Sequence, residues 1–178
     1  MILTPETLMK DVLAVYPGAQ RALFRKYHIG GCSACGFQPE ETLAQVCQRN
    51  NNLSVEEVLQ HLKTSHEQDE TIFITAPQLA EWIKREPALK LLDIRSRQEF
   101  EALHIAGSVL MSQSTVQEIM ARWPRTESFV IVDHTGKLAL DAAAYFAGHG
   151  FEMVRCLRGG IDAWAQEIDE AMPRYQLA

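Results

Sequence analysis

The sequence predicts an α/β protein: an open parallel sheet flanked by helices, preceded by a small all-α domain. Three observations predict it. From Ile72 onward, short apolar runs alternate with helix-length stretches, the order that builds βαβ crossovers. One of those runs, Phe129-Val130-Ile131-Val132, is apolar throughout, as a strand covered on both faces must be. Residues 1 to about 66 instead hold a succession of capped, amphipathic helical stretches.

In the first part, Thr4-Pro5 is a helix start, an N-cap followed by proline, with Leu8, Val12 and Val15 on one face. Pro17-Gly18 breaks it. A second helix is expected over residues 19–27, closed by Gly30-Gly31. Pro39-Glu40-Glu41 starts a third, with Leu43, Val46 and Cys47 inward and three asparagines at its end. Ser54 and Glu57 form a capping box for a fourth, with Val55, Val58, Leu59 and Leu62 inward. The polar stretch over residues 66–71 is a linker candidate, so domains are expected at 1–66 and 71–178.

In the second part, Ile72-Phe73-Ile74 is a strand and Thr75 caps a helix carrying Leu79 and Ile83. A strand over 90–94 ends in charge, and Ser96 with Glu99 caps a short helix at once. Strand 109–111, a helix over 114–122, strand 129–132, a helix over 138–149 and strand 153–157 follow. Gly159-Gly160 then opens a helix bearing Ile161 and Trp164.

Composition narrows the function. The chain has 178 residues, 47% hydrophobic and 22% charged, enough for packed cores in one or two domains. A net charge of −6 with no basic stripe argues against nucleic acid as a partner. No apolar run approaches a membrane span, and the N-terminus lacks the pattern of a signal peptide, so a cytoplasmic location is expected.

The stretch Leu-Leu-Asp-Ile-Arg-Ser-Arg-Gln-Glu-Phe, with His104-Ile105-Ala106-Gly107 and the ending Leu157-Arg158-Gly159-Gly160…Trp164, resembles the signature of rhodanese-like domains over residues 71–170. That resemblance implies a rhodanese-like sheet and a loop Cys-x-x-Gly-x-Arg after the central strand, whose cysteine accepts sulfur. Here the loop reads Asp133-His134-Thr135-Gly136-Lys137-Leu138. Gly136 matches; Asp133 stands at the cysteine position and Leu138 at the arginine position. A carboxylate cannot take up sulfur as a persulfide, and the lost arginine removes an anion clamp. Ordinary thiosulfate sulfurtransferase activity is therefore not expected from this loop. Asp133 is expected to fill it, accepting N–H bonds at a helix N-terminus. The loop weakly resembles the phosphorylated loop of P-type ATPases, without the acidic partners that chemistry needs. Asp93 with Arg95 reads as a strand-end ion pair, His104 as a turn residue, and Cys156 as packing or a displaced thiol.

The remaining cysteines cluster as Cys32-Ser33-Ala34-Cys35, with Cys47 downstream. This segment resembles a small helical domain family of unknown function, distantly similar to the N-terminal segment of iron–sulfur-centre repair proteins. Cys-x-x-Cys brings two sulfurs within reach of each other or of one metal. Glycines at 30, 31 and 36 leave backbone N–H groups free to lower a thiol pKa. Three readings stand: a redox or persulfide-carrying dithiol, a zinc or iron–sulfur site on Cys32, Cys35, Cys47 and His28, or inert thiols.

The expectation is a non-catalytic binding or docking module in sulfur or redox metabolism, with thiol chemistry at Cys32 and Cys35. A protein partner or sulfur-donor protein is implied, and oligomeric state is left open. The alternatives are a sulfurtransferase using Cys32, Cys35 or Cys156, and a metalloprotein.

Overall fold

The computed structural model describes residues 2–30 and 36–175. The chain forms two compact units, Met1–Thr71 and Ile72–Ala178.

The first unit is helical: α1 (Met9–Val15), α2 (Ala19–Tyr27), α3 (Leu43–Arg49) and α4 (Val55–Glu70). Met9, Val12, Leu23, Ile29, Leu43, Val46, Cys47, Val58 and Leu62 form its core. Four boundaries differ from expectation. The first and third helices each begin later than the Pro5 and Pro39 signals suggest, because the segments before them cap each other. Met9 and Lys10 donate their N–H groups to the carbonyls of Glu41 and Pro39 at 2.8 and 3.0 Å. Leu43 and Ala44 donate to Thr7 and Pro5 at 2.9 and 2.8 Å. The orphan N–H groups of two helix starts are thus satisfied by each other's leaders, which fold as turns closed by Thr7 on Thr4 and Glu41 on Gln38 rather than as helix. Thr42 supplies a full capping box with Gln45. The second helix closes on His28, in the left-handed region at φ 58°, rather than on the glycine pair; Gly31 lies outside the described residues. Finally, residues 66–70 continue α4 instead of forming a linker. Asp69 of that last turn is buried and accepts from Arg21 of α2 at 2.6 Å, so a tertiary ion pair holds polar sequence in helix.

The second unit is a five-stranded parallel sheet of β1 (Phe73–Ile74), β2 (Lys90–Asp93), β3 (Ser108–Leu110), β4 (Phe129–Val132) and β5 (Val154–Leu157), in the order β1-β5-β4-β2-β3. Five helices alternate with them: α5 (Ala76–Arg85), α6 (Arg97–Ala102), α7 (Gln113–Arg122), α8 (Lys137–Gly148) and α9 (Gly160–Glu167). Capping boxes at Thr75/Gln78, Ser96/Glu99 and Ser112/Thr115 start three of them.

The central strand explains its own composition. Phe129 and Ile131 point into one core with Leu92, Leu140, Phe146, Phe151 and Cys156. Val130 and Val132 point into the other with Leu91, Leu79, Leu157, Ile161 and Trp164. Both faces of β4 are covered, so successive side chains must all be apolar. Phe129 meets Trp123, Phe146 and Phe151 edge-on, with ring centroids 5.4–5.6 Å apart.

Candidate functional site

In an open parallel sheet, ligands meet the carboxyl ends of the strands. Register brings two charged strand ends together there. Asp93 pairs with Val132 across β2 and β4, so Arg95 and Asp133 emerge at the same edge. A cavity of about 630 Å³ opens between them, lined by Ile94, Arg95, Glu99, Asp133, Lys137 and Leu138 among others.

Asp133 is 3% exposed. Its Oδ1 accepts from the N–H of Gly136 and its Oδ2 from the N–H of Leu138 at 2.8 Å. The carboxyl group therefore fills the N–H cradle at the start of α8. Burial pushes its pKa above the ordinary 3.8, and the N–H groups of Gly136, Leu138 and Ala139 pull it back without cancelling that rise. The stability Asp133 contributes is then complete below its unfolded value and falls away as pH rises through its higher folded value. Asp133→Asn does not titrate, so wild type should lose stability relative to that variant as pH goes from about 4 to about 8. Urea titrations read by tryptophan fluorescence check this, because Trp82, Trp123 and Trp164 all belong to the second unit. A difference that stays flat, or grows in favour of wild type, would contradict it.

The loop is held from below by backbone. The first free N–H groups of α9, on Ile161 and Asp162, donate to the carbonyls of Asp133 and His134 at 2.8 and 3.2 Å. Gly160, at φ +59°, sits so close that a Cβ there would lie 2.5 Å from the carbonyl carbon of His134. The glycine pair at 159–160 is what permits this contact.

Opposite the loop, Arg95 is buried and donates from all three of its guanidinium nitrogens. Its Nε and Nη2 donate to Asp93 at 3.0 and 2.7 Å, Nη2 also to the Leu103 carbonyl at 2.8 Å, and Nη1 to the Tyr175 hydroxyl at 2.9 Å. Tyr175 donates to Glu99 at 2.7 Å. His134 donates through Nε2 to the Tyr175 carbonyl at 2.9 Å, and its ring stacks on that of Tyr175 at 4.4 Å and 6°. Ser96 and Tyr175 hold Glu99 below the usual glutamate range against the desolvation that raises it. His104 donates through Nδ1 to the Phe100 carbonyl at 2.8 Å and stacks on the Phe100 ring, a local turn arrangement.

The structure thus brings together all six residues of the 133–138 loop with Arg95. Lys137 and Leu138 are exposed, and Thr135 is too. Sequence reasoning missed Tyr175 and the part played by Glu99 beyond its capping box. Tyr175 lies in an aperiodic polar tail, 80 positions from the arginine it contacts, and nothing local marks it.

The cysteines are distributed differently. Cys32 and Cys35 lie outside the described residues. Cys47 is packed in the helical core, and burial pushes its thiol up. His28, at the end of α2, is exposed and meets Phe24 edge-on. Cys156 is buried in the sheet core with Ile131, Leu140 and Phe146 and does not line the cavity. Among the described residues no three His, Cys, Asp or Glu side chains form a group that could hold a metal ion. No described helix is long and apolar enough to cross a membrane.

A doubly covered parallel sheet, a helix-capping loop at its central carboxyl edge and a glycine pair bracing that loop define a single-sheet α/β domain built to present one loop. The chain belongs to the rhodanese-like domain family: the family model matches residues 75–167, more than half of the 178. Thiosulfate sulfurtransferase GlpE of Pseudomonas savastanoi pv. phaseolicola is 31% identical over 88 residues, covering 49% of this chain and 82% of the relative. Probable adenylyltransferase/sulfurtransferase MoeZ of Mycobacterium tuberculosis is 32% identical over 104 residues, and the match covers 57% of this chain. The chain spans about a quarter of that relative, 26% of its length. Among solved structures, a rhodanese-related protein from Thermoplasma volcanium is 26% identical with a TM-score of 0.43, covering 53% of this chain and 91% of that one.

Proposed function

We propose that this protein is a rhodanese-like module of sulfur or redox metabolism in the cytoplasm. It binds a protein partner at its 133–138 loop rather than transferring sulfur there, and its thiol chemistry resides at Cys32 and Cys35. One observation carries the reading. The carboxyl group of Asp133 occupies the N–H cradle where a rhodanese-like domain would hold its sulfur-accepting thiolate. An oxygen in that cradle cannot attack sulfane sulfur. The relatives named as sulfurtransferases support a place in sulfur metabolism. The burial of Cys47 argues for a Cys32–Cys35 dithiol over a metal centre that would need a third thiolate.

The test is thiosulfate-to-cyanide transfer by the purified chain and by the Cys32→Ser/Cys35→Ser double variant. The double variant is expected to show no turnover. Mass spectrometry after incubation with a sulfur donor is expected to find added sulfur on Cys32 or Cys35 of the wild type. Turnover by the double variant at ordinary enzyme rates, about 1–10³ per second, would overturn the reading.

A further inference from the structure

We propose that the groove between α6 and the 133–138 loop is a seat for an extended, tyrosine-bearing peptide, filled in this chain by its own residues 173–175. The inference rests on reading this edge as a binding surface and names what that surface takes.

After α9, a turn closes with the Met172 N–H on the Asp169 carbonyl at 2.9 Å, and residues 173–175 then run without helix or strand. Among the described residues, no backbone ladder holds them. Arg174 is tied to Asp162 by an exposed ion pair at 2.7 Å, the kind that contributes little. What fastens the segment is Tyr175. Its hydroxyl accepts from Arg95 and donates to Glu99, its carbonyl accepts from His134, and its ring lies flat on the His134 ring. Both walls of the groove contribute, α6 through Glu99 and the loop through His134. A segment held by Tyr175, by that ring's packing on the sheet core and by one exposed ion pair is seated as a docked peptide is, and belongs to the low-stability end of local opening.

The cavities say the same. The space of about 630 Å³ beside Asp133 and a second of about 480 Å³ beside Leu103 and Pro173 share Ser96 and Glu99. Tyr175 lines the smaller, and its three partners line the larger. With Tyr175 lifted, the two join into one groove. Ile94, Leu138 and Leu103 offer apolar surface along it, and Arg95, Glu99 and His134 are left with bonding capacity for an incoming phenol and carbonyl. A partner segment with the same groups restores what the chain's own tail gives up.

The test uses diethyl pyrocarbonate on the full chain, with carbethoxylation of His134 followed by mass spectrometry and exposed His149 as internal reference. Tyr175→Ala should accelerate modification of His134 about tenfold, the factor that corresponds to losing one or two hydrogen bonds. Tyr175→Phe keeps the ring and carbonyl, folds without new packing demands, and should show a smaller rise. The N-acetylated, C-amidated peptide Met-Pro-Arg-Tyr, at millimolar concentration, should reverse the acceleration in both variants. The same peptide ending in phenylalanine should reverse it less. No acceleration in either variant would overturn the proposal. So would acceleration that the tyrosine peptide leaves untouched, or that both peptides reverse equally. Thiosulfate turnover plays no part in this readout, so the seat and the non-transferring loop stand or fall separately.

Discussion

Replacing Arg95 with methionine should destabilise the rhodanese-like unit by about 3–5 kcal/mol, the cost of breaking one side of a buried ion pair. Asp93 is fully buried, and the guanidinium of Arg95 gives it three of its hydrogen bonds. With methionine at 95, the carboxylate keeps the N–H of residue 95 and loses its countercharge. The Leu103 carbonyl and the Tyr175 hydroxyl lose a donor in the same step. Lys84→Met removes an ion pair to Glu81 that is more than half exposed on both sides, and should shift stability far less. Urea midpoints read by tryptophan fluorescence separate the two. A cost for Arg95→Met as small as that for Lys84→Met would show that Asp93 does not depend on its partner. Replacing both members, as Asp93→Leu/Arg95→Met, should recover part of the loss, because no charge is then left buried alone.

Asp133→Cys should switch on sulfur transfer from a loop that carries no thiol of its own. The cradle is already built: the N–H groups of Gly136 and Leu138 converge on the position of the side-chain atoms, at the start of a 12-residue helix. A thiol placed there is expected to ionise below its usual pKa. Its thiolate attacks the sulfane sulfur of thiosulfate and sulfite leaves with the bonding pair. Cyanide then takes the sulfur as thiocyanate and regenerates the thiolate. The gain in thiosulfate-to-cyanide turnover, in a background with Cys32 and Cys35 replaced by serine, should be on the order of a hundredfold or more, since covalent catalysis depends on its nucleophile by larger factors than that. Adding Leu138→Arg should raise it further by clamping the anion, and position 138 is 67% exposed, so the fold need not adjust. An Asp133→Cys protein that folds, carries a reactive thiol and still forms no persulfide would show that the loop lacks more than its sulfur.

Much of the second unit was legible because its signals are local. A strand covered on both faces must be an unbroken apolar run, and Phe129–Val132 is one. Ser96 and Glu99 sit three apart before a short helix, and the capping box is there. The first unit was less so, because its helix starts are decided in pairs. Pro5 and Pro39 mark places where helices are permitted to begin, but reciprocal capping between residues 4–8 and 38–42 moves both starts downstream. Residues 66–70 look like a linker by polarity, and the Arg21–Asp69 contact makes them helix.

By itself the sequence determined the sheet, its buried central strand, the loop at its carboxyl end and the absence of sulfur at position 133, because each depends on residues adjacent in the chain. The tertiary structure decided what that loop faces. Parallel register carries Arg95 to the edge beside Asp133, the glycine pair lets α9 hold the loop by its carbonyls, and Tyr175 comes back across the site from a tail with no pattern of its own. Contacts between residues 40 to 80 positions apart leave no periodic trace, so they become visible only when the chain has closed on itself.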